Sequence, residues 1–233
     1  MKPVKLLQLS LVTVCLLQAG CATNSANNFK LSHLAKSDID SVTDMHIQEV
    51  SKLCRQLTIK LYKRNPRELT KAPPGTTVKK RLDQIFSDQR IKGFGELNGA
   101  KSTAAISLSF NEAFEGDRVF ALMAGISSML YAAYNYQDEF YLLDEIDQQK
   151  LYNSARNLET VSWQLNNRKD DRGERYILSN GLGTNGIRNL SYERLFGKMI
   201  SLQDMMALLI ADTTNRNITR VVQSAASMTF LPI

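Results

Sequence analysis

The feature that most restricts the fold of this chain is a run of 19 residues, 119–137, that contains no charged side chain. A run of this length could cross a bilayer as one helix. It also contains Ser127, Asn135 and three tyrosines, which argue against a lipid-facing segment. Small residues such as Ala124 and Gly125 permit close packing on all sides. We therefore expect residues 119–137 to form a buried central helix, with a membrane-spanning helix as the alternative.

Amphipathic helices are predicted on both sides of this run, because apolar residues recur there at spacings of three and four. Ser37 and Ser41 are the candidate N-caps of the first helix. The predicted helices cover residues 38–64, 77–88, 147–166, 192–211 and 216–228. Almost no stretch alternates with a period of two, so a sizeable sheet is not expected. The predicted fold is therefore all-α, a single irregular bundle of five to seven helices around the central apolar helix.

The N-terminus has the three parts of a secretory signal peptide: Lys2 and Lys5, the apolar residues 6–17, and a small-residue end at Ala-Gly-Cys. The apolar part is too short to span a membrane. This end resembles the lipobox of bacterial lipoproteins, although Gln18 stands where that motif favours Leu. In that class the chain is cut before the cysteine, which is then acylated, so the resemblance implies lipidation of Cys21. The alternative is an ordinary signal peptide with a chance cysteine.

The resemblance also implies an organisation and a location. Residues 1–20 would be the signal peptide, residues 21–37 a flexible polar tether, and residues 38–233 the α-helical domain. The residue after the lipidated cysteine is Ala22 instead of the Asp that retains such proteins in the inner membrane. An outer-membrane location, lipid-anchored and facing the periplasm, is therefore implied.

Three segments of the body resemble an uncharacterised group of proteobacterial lipoproteins. They are residues 110–118, residues 157–159 and residues 189–198. The group has no known activity, so this resemblance implies no function.

Cysteine and histidine are scarce, at three and two residues. Cys15 would leave with the signal peptide and Cys21 would carry lipid, so Cys54 alone would remain and could form no internal disulfide. We expect Cys54 to be buried as a small apolar residue. His46 lies eight residues earlier on the same predicted helix, about 12 Å away, which is too far to share one metal ion with Cys54. We predict no metal and no cofactor.

Residues 181–186 match the pattern G-x-G-x-x-G of dinucleotide-binding folds. That site also needs a preceding strand and a helix that begins inside the motif. Only a very short candidate strand, residues 176–179, precedes the motif and no helix is predicted to begin inside it, so we interpret these residues as a turn.

Glu112, Glu115 and Asp117 are the candidate catalytic residues. Glu112 and Glu115 are three residues apart and would share one side of a helix. Paired carboxylates act as acid and base in glycoside hydrolysis, and peptidoglycan is a glycan within reach of an envelope protein. The structural alternative is that Asn111 or Asp117 caps a helix while Arg118 pairs with a carboxylate.

A strongly basic region extends over residues 52–92, where twelve Lys and Arg residues face only three acidic ones. The residues predicted to form a binding surface are Lys79, Lys80, Arg81, Lys52 and Arg55. Such a surface would bind an anionic phospholipid membrane or an acidic envelope protein. The alternative is that these are the solvated faces of two helices. Nucleic acid is not an expected partner in the periplasm.

The sequence therefore favours a non-enzymatic, lipid-anchored interaction or scaffold module of the cell envelope. One alternative is an envelope enzyme that acts on peptidoglycan or lipid through the carboxylates described above. Another is a helical bundle that binds a small molecule. Its pocket would be lined by Tyr131, Tyr134, Tyr136 and Tyr141.

Overall fold

A computed structural model of the chain describes residues 37–141, 144–182, 186–220 and 229–233. The predicted signal peptide, the predicted lipidation site Cys21 and the predicted tether before Ser37 lie outside these residues.

The first helix, α1 (Asp38–Arg64), has the predicted bounds. Ser37 caps it, since its hydroxyl accepts from the N–H of Asp40 at 3.3 Å while the Asp40 carboxylate accepts from the N–H of Ser37 at 2.8 Å. This reciprocal pair satisfies two of the N–H groups that a helix start leaves without partners. Beyond Arg64, a proline begins the separate single turn α2 (Pro66–Leu69).

Short helices lead from α1 to the centre of the fold. They are α3 (Val78–Ile85), α4 (Gln89–Lys92), a 3₁₀ turn (Gly95–Leu97) and α5 (Ser102–Ser109). Helix α3 folds back against α1. The Arg55 guanidinium on α1 lies 4.1 Å from the centre of the Phe86 ring at the end of α3.

The central helix, α6 (Arg118–Ala133), is buried at all sixteen of its residues. The prediction of a buried apolar helix is confirmed over residues 119–133, but the helix ends there instead of at residue 137, and Asn135 and Tyr136 are exposed. In the part of the chain that the structure describes, no helix is long and apolar enough to cross a membrane. Helix α5 packs so closely on α6 that a Cβ atom added at Gly125 would lie 2.7 Å from the backbone nitrogen of Ile106.

Two long helices complete the bundle, α7 (Gln148–Asn167) and α8 (Ser191–Thr214). Helix α8 packs against α7 and against α1. It runs antiparallel to α1, because Lys60 near the end of α1 contacts Ser191, whereas His46 near its start contacts Gln203. Between α7 and α8 lies a small antiparallel hairpin, β1 (Gly181–Leu182) with β2 (Arg188–Asn189).

The predicted fold class is confirmed: the chain is an all-α bundle, and the residues that the structure describes contain one two-stranded sheet. One predicted helix is wrong in its described part, since residues 216–220 form none; residues 221–228 lie outside the described residues. Residues 229–233 contact α7, where the Asn157 amide exchanges hydrogen bonds of 2.9 and 2.7 Å with the backbone of Leu231.

Candidate functional site

The candidate catalytic carboxylates do not share a helix face. Glu112 and Glu115 are exposed in the irregular turn between α5 and α6, which corrects the predicted helical arrangement. The helix that could have carried them ends at Ser109. Glu112 accepts a hydrogen bond from the Tyr176 hydroxyl. Asp117 alone of the three is buried.

Asp117 holds α6 in place. One carboxylate oxygen accepts from the N–H of Phe120 at 2.8 Å and so caps the helix, as the structural alternative predicts. The other oxygen accepts from the Tyr62 hydroxyl at 2.8 Å and from Arg81 Nε at 3.2 Å. A carboxylate bound in this way by three donors has little capacity left to exchange a proton with a substrate.

Arg81 is on the buried side of α3 and has no exposed side-chain surface, so its predicted place on the binding surface is wrong. Besides Asp117, it binds both oxygens of Glu96, at 2.9 and 2.7 Å, and its guanidinium lies 3.8 Å from the centre of the Phe120 ring. Burial alone would lower the pKa of Arg81, but the bonds to Glu96 and the charge of Asp117 outweigh it and raise that pKa. Arg81 is therefore a charged core residue.

Arg118 also differs from prediction. Its guanidinium donates to the backbone carbonyls of Ser109 and Asn111, at 2.9 and 2.7 Å, instead of pairing with a carboxylate. The backbone N–H of Arg118 donates to the buried carboxylate of Glu68 at 2.9 Å. Together, Arg118 and Asp117 fix the turn that carries Glu112 and Glu115.

The other predicted surface residues, Lys52, Arg55, Lys79 and Lys80, are exposed. Lys52 pairs with Glu49 at 3.0 Å, and Lys80 donates to the carbonyl of Gly75 at 2.8 Å. Without Arg81 the predicted cationic surface is smaller than the sequence indicated.

A small cavity lies beside two of the four predicted pocket tyrosines, between α1 and α6. Tyr131 and Tyr134 line it, whereas Tyr136 and Tyr141 are exposed at the surface. It holds about 30 Å³ of space for water, enough for one or two molecules. Arg90 closes one side; it lies 3.6 Å from the centre of the Tyr131 ring and pairs with Asp138 at 3.0 Å.

Three buried polar side chains contact one another near this cavity: His46 on α1, Tyr134 at the end of α6 and Gln203 on α8. The Tyr134 hydroxyl accepts from the side-chain amide of Gln203 at 2.8 Å and lies 3.1 Å from Nε2 of His46. Burial lowers the pKa of His46 to about 4, against the opposing hydrogen bond with Gln203. Burial raises the pKa of the Cys54 thiol to about 12, so the thiol stays protonated and unreactive. This agrees with the prediction that Cys54 is buried as a small apolar residue.

The glycine-rich segment forms the hairpin instead of a dinucleotide site. Glycine at position 181 begins β1, and the next helix starts only at Ser191, well beyond the motif. Residues 183–185 lie outside the described residues. Three large apolar side chains of the hairpin segment are exposed, Leu182 at 66%, Ile187 at 71% and Leu190 at 51%. Sequence analysis did not identify this surface, because apolar residues next to glycines are equally typical of a packed loop.

Comparison of the chain with family models, with curated proteins and with solved structures gives no match. Among the residues that the structure describes, no three His, Cys, Asp or Glu side chains gather where they could hold a metal ion. The class that the fold itself defines is an all-α helical domain.

Proposed function

We propose that this protein is a lipid-anchored interaction module of the bacterial cell envelope, held in the outer membrane by Cys21 and facing the periplasm. The lipobox-like end of the signal sequence supports the anchor. Helix α1 begins 17 residues after Cys21, so an anchored domain would stay close to the membrane.

The observation that carries the proposal is the exposed apolar hairpin formed by Leu182, Ile187 and Leu190, named here the hairpin face. Single exposed apolar residues are common, but three large ones within one short hairpin segment are typical of a contact site. The contact partner would be the membrane surface or an acidic envelope protein.

The enzymatic alternative has less support from the geometry. The two carboxylate oxygens of Asp117 already bind Arg81 and the N–H that caps α6. Glu112 and Glu115 extend from a turn into solvent, where no enclosed site surrounds them among the described cavities.

A second candidate function is the binding of a small anionic molecule beside α6. Arg90 is buried, yet its Nε has no hydrogen-bond partner within the described residues. A carboxylate would bind this guanidinium only if it displaced Asp138 from Nη2 and if the cavity, which has space for one or two waters, widened. A short-chain carboxylate should then raise the melting temperature of the wild type but not that of Arg90→Gln.

The anchor is tested by Cys21→Ser, with Cys15→Ser as the matched control inside the signal peptide. Cys21→Ser should abolish palmitate labelling and release the protein from membranes, whereas Cys15→Ser should change neither. A labelled, membrane-bound Cys21→Ser protein would contradict the anchor.

The contact role is tested by a photo-crosslinking residue at position 187, with exposed position 48 on α1 as the control. We expect lipid or protein adducts from position 187 in cells and none from position 48. No adduct from position 187 would contradict an interaction role for the hairpin face.

A further inference from the structure

We infer that the hairpin face docks on the anionic phospholipid surface of the membrane that holds the anchor, with its apolar side chains inserted among the lipids. This inference rests on the proposed function, since it names the partner of that same surface. It also transfers the predicted phospholipid binding from Lys79 and Lys80 on α3 to the hairpin.

The hairpin places apolar and cationic side chains side by side. Leu182 pairs directly with Arg188 across the two strands, so their side chains lie on the same face. Arg64 at the end of α1 adjoins the hairpin, because its Nη2 lies 3.7 Å from the position a Cβ would take at Gly181. Aliphatic groups beside guanidinium groups match a bilayer, in which acyl chains lie beneath phosphates.

The cations around the hairpin are available to an external anion. Arg64, Arg188 and Arg194 are exposed, and no carboxylate of the described residues lies within ion-pair distance of them. The nearby Glu193 carboxylate already accepts from Ser162 and Asn180, each at 3.0 Å. The net charge of this surface is therefore positive, complementary to phosphatidylglycerol or other anionic headgroups.

The base of the hairpin is held rigidly on the bundle. Asn65 exchanges hydrogen bonds of 2.8 and 2.7 Å with the backbone of Leu178. Arg175 donates to the carbonyl of Asn180 at 2.9 Å. A surface presented in this way loses little conformational freedom when it docks.

The size of the hairpin face favours a bilayer over a protein partner. A stable protein interface buries about 800 Å² on each side, far more than three aliphatic side chains supply. Weak insertion into a bilayer suffices when an acyl anchor keeps the domain at the membrane, because docking is then an intramolecular step.

The dimensions permit both attachments at one membrane. Helix α1 has 27 residues and is about 40 Å long, and the hairpin adjoins its C-terminal end. The 16 peptide units from Cys21 to Ser37 reach about 55 Å when fully extended. The anchored domain can therefore lie with α1 along the membrane and the hairpin face against the lipids.

The test uses the full lipidated protein in vesicles of phosphatidylethanolamine and phosphatidylglycerol with brominated acyl chains, which quench tryptophan fluorescence. Trp163, the single tryptophan of the chain, is first replaced by Phe. Ile187→Trp then reports on the hairpin, and Ile91→Trp is the control, since Ile91 is also exposed but lies on α4.

We expect bromine quenching of Ile187→Trp to be several-fold stronger than that of Ile91→Trp. Arg64→Gln and Arg188→Gln should each lower the ratio of inserted to free hairpin by about fivefold at low salt. The same change at the exposed Lys79 and Lys80 should have no effect. Replacing phosphatidylglycerol by phosphatidylcholine should lower quenching as the arginine changes do.

Flotation of the same samples separates the two proposals. Protein that does not float with the vesicles contradicts the lipid anchor, whatever the quenching. Protein that floats but quenches equally at positions 187 and 91 overturns the docking inference alone. A protein adduct from position 187 in cells, without bromine quenching, would replace the bilayer by a protein partner and would also overturn it.

Discussion

Arg81 and Asp117 form an ion pair from which solvent is excluded: Arg81 Nε lies 3.2 Å from a carboxylate oxygen of Asp117, and their side chains are 0% and 1% exposed. The pair connects α3 to the start of the central helix α6. Glu96 completes the arrangement by binding the opposite edge of the guanidinium. A basic residue from the most cationic part of the chain thus stabilises the interior.

Arg81→Met should lower the free energy of unfolding by about 3–5 kcal/mol, because it leaves the Asp117 carboxylate buried without its cation. Lys79→Met, two residues away on the exposed side of α3, should change it by about 0.5 kcal/mol or less. Urea denaturation followed by circular dichroism measures both. Equal effects of the two substitutions would contradict a core role for Arg81.

Acid should destabilise the protein partly through His46. Burial lowers the pKa of His46 to about 4, from 6.5 in the unfolded chain. Between these values the unfolded state binds more protons, so the free energy of unfolding falls as the pH falls from 6.5 to about 4. The loss is about 3 kcal/mol when complete.

His46→Gln should lack this part of the pH dependence. Carboxylates titrate in both proteins, so the relevant quantity is the difference between wild type and variant, measured by urea denaturation at pH 7 and at pH 4. Identical slopes for the two proteins would show that His46 does not carry the effect.

Met123→Asp should unfold the domain or lower the free energy of unfolding by about 4 kcal/mol or more, because Met123 on α6 is 0% exposed and the new carboxylate would lack a partner. Met205→Asp is the matched control on α8, at a side chain that is 54% exposed. Its effect should stay within about 0.5 kcal/mol. Thermal denaturation compares the two, and a folded, stable Met123→Asp protein would refute the buried helix.

Gly125→Ala should lower the free energy of unfolding by about 1–3 kcal/mol, since the added Cβ would meet backbone atoms of Ile106 and Ser102 within 2.8 Å. Gly197→Ala is the matched change in α8, where nothing lies within 4 Å of the new atom. It should instead stabilise the protein by about 0.5–1 kcal/mol, the helix preference of Ala over Gly. We expect the urea midpoint to fall for Gly125→Ala and to rise for Gly197→Ala, relative to wild type. Shifts in the same direction would contradict the close contact of α5 with α6.

The basic region illustrates how far sequence analysis could go. Lys79, Lys80 and Arg81 are chemically similar neighbours, and charge alone assigns all three to the surface. The spacing contained a further indication, because Arg81 lies three residues after Val78 and four before Ile85, in register with the apolar stripe of α3. The partners that make this burial possible, Glu96 and Asp117, are 15 and 36 residues further along the chain.

The carboxylates show the same limit. The residue types and their spacing indicated a polar cluster before α6, and the Asp117 cap was predicted as one alternative. Whether Glu112 and Glu115 share a helix face depended on where α5 ends. That end is at Ser109, beyond which Arg118 binds the carbonyls of the turn.

By itself the sequence determined the bounds of α1, the burial of residues 119–133 within the predicted range 119–137, and the all-α class, because capping and apolar periodicity act over one or two helical turns. Only the tertiary structure decided that Arg81 is a core residue, that His46 meets Gln203, and that the leucines and isoleucine of the hairpin face extend into solvent. These outcomes depend on contacts between segments distant in the chain. The free energy of burying or exposing a side chain is set by neighbours that local sequence does not specify.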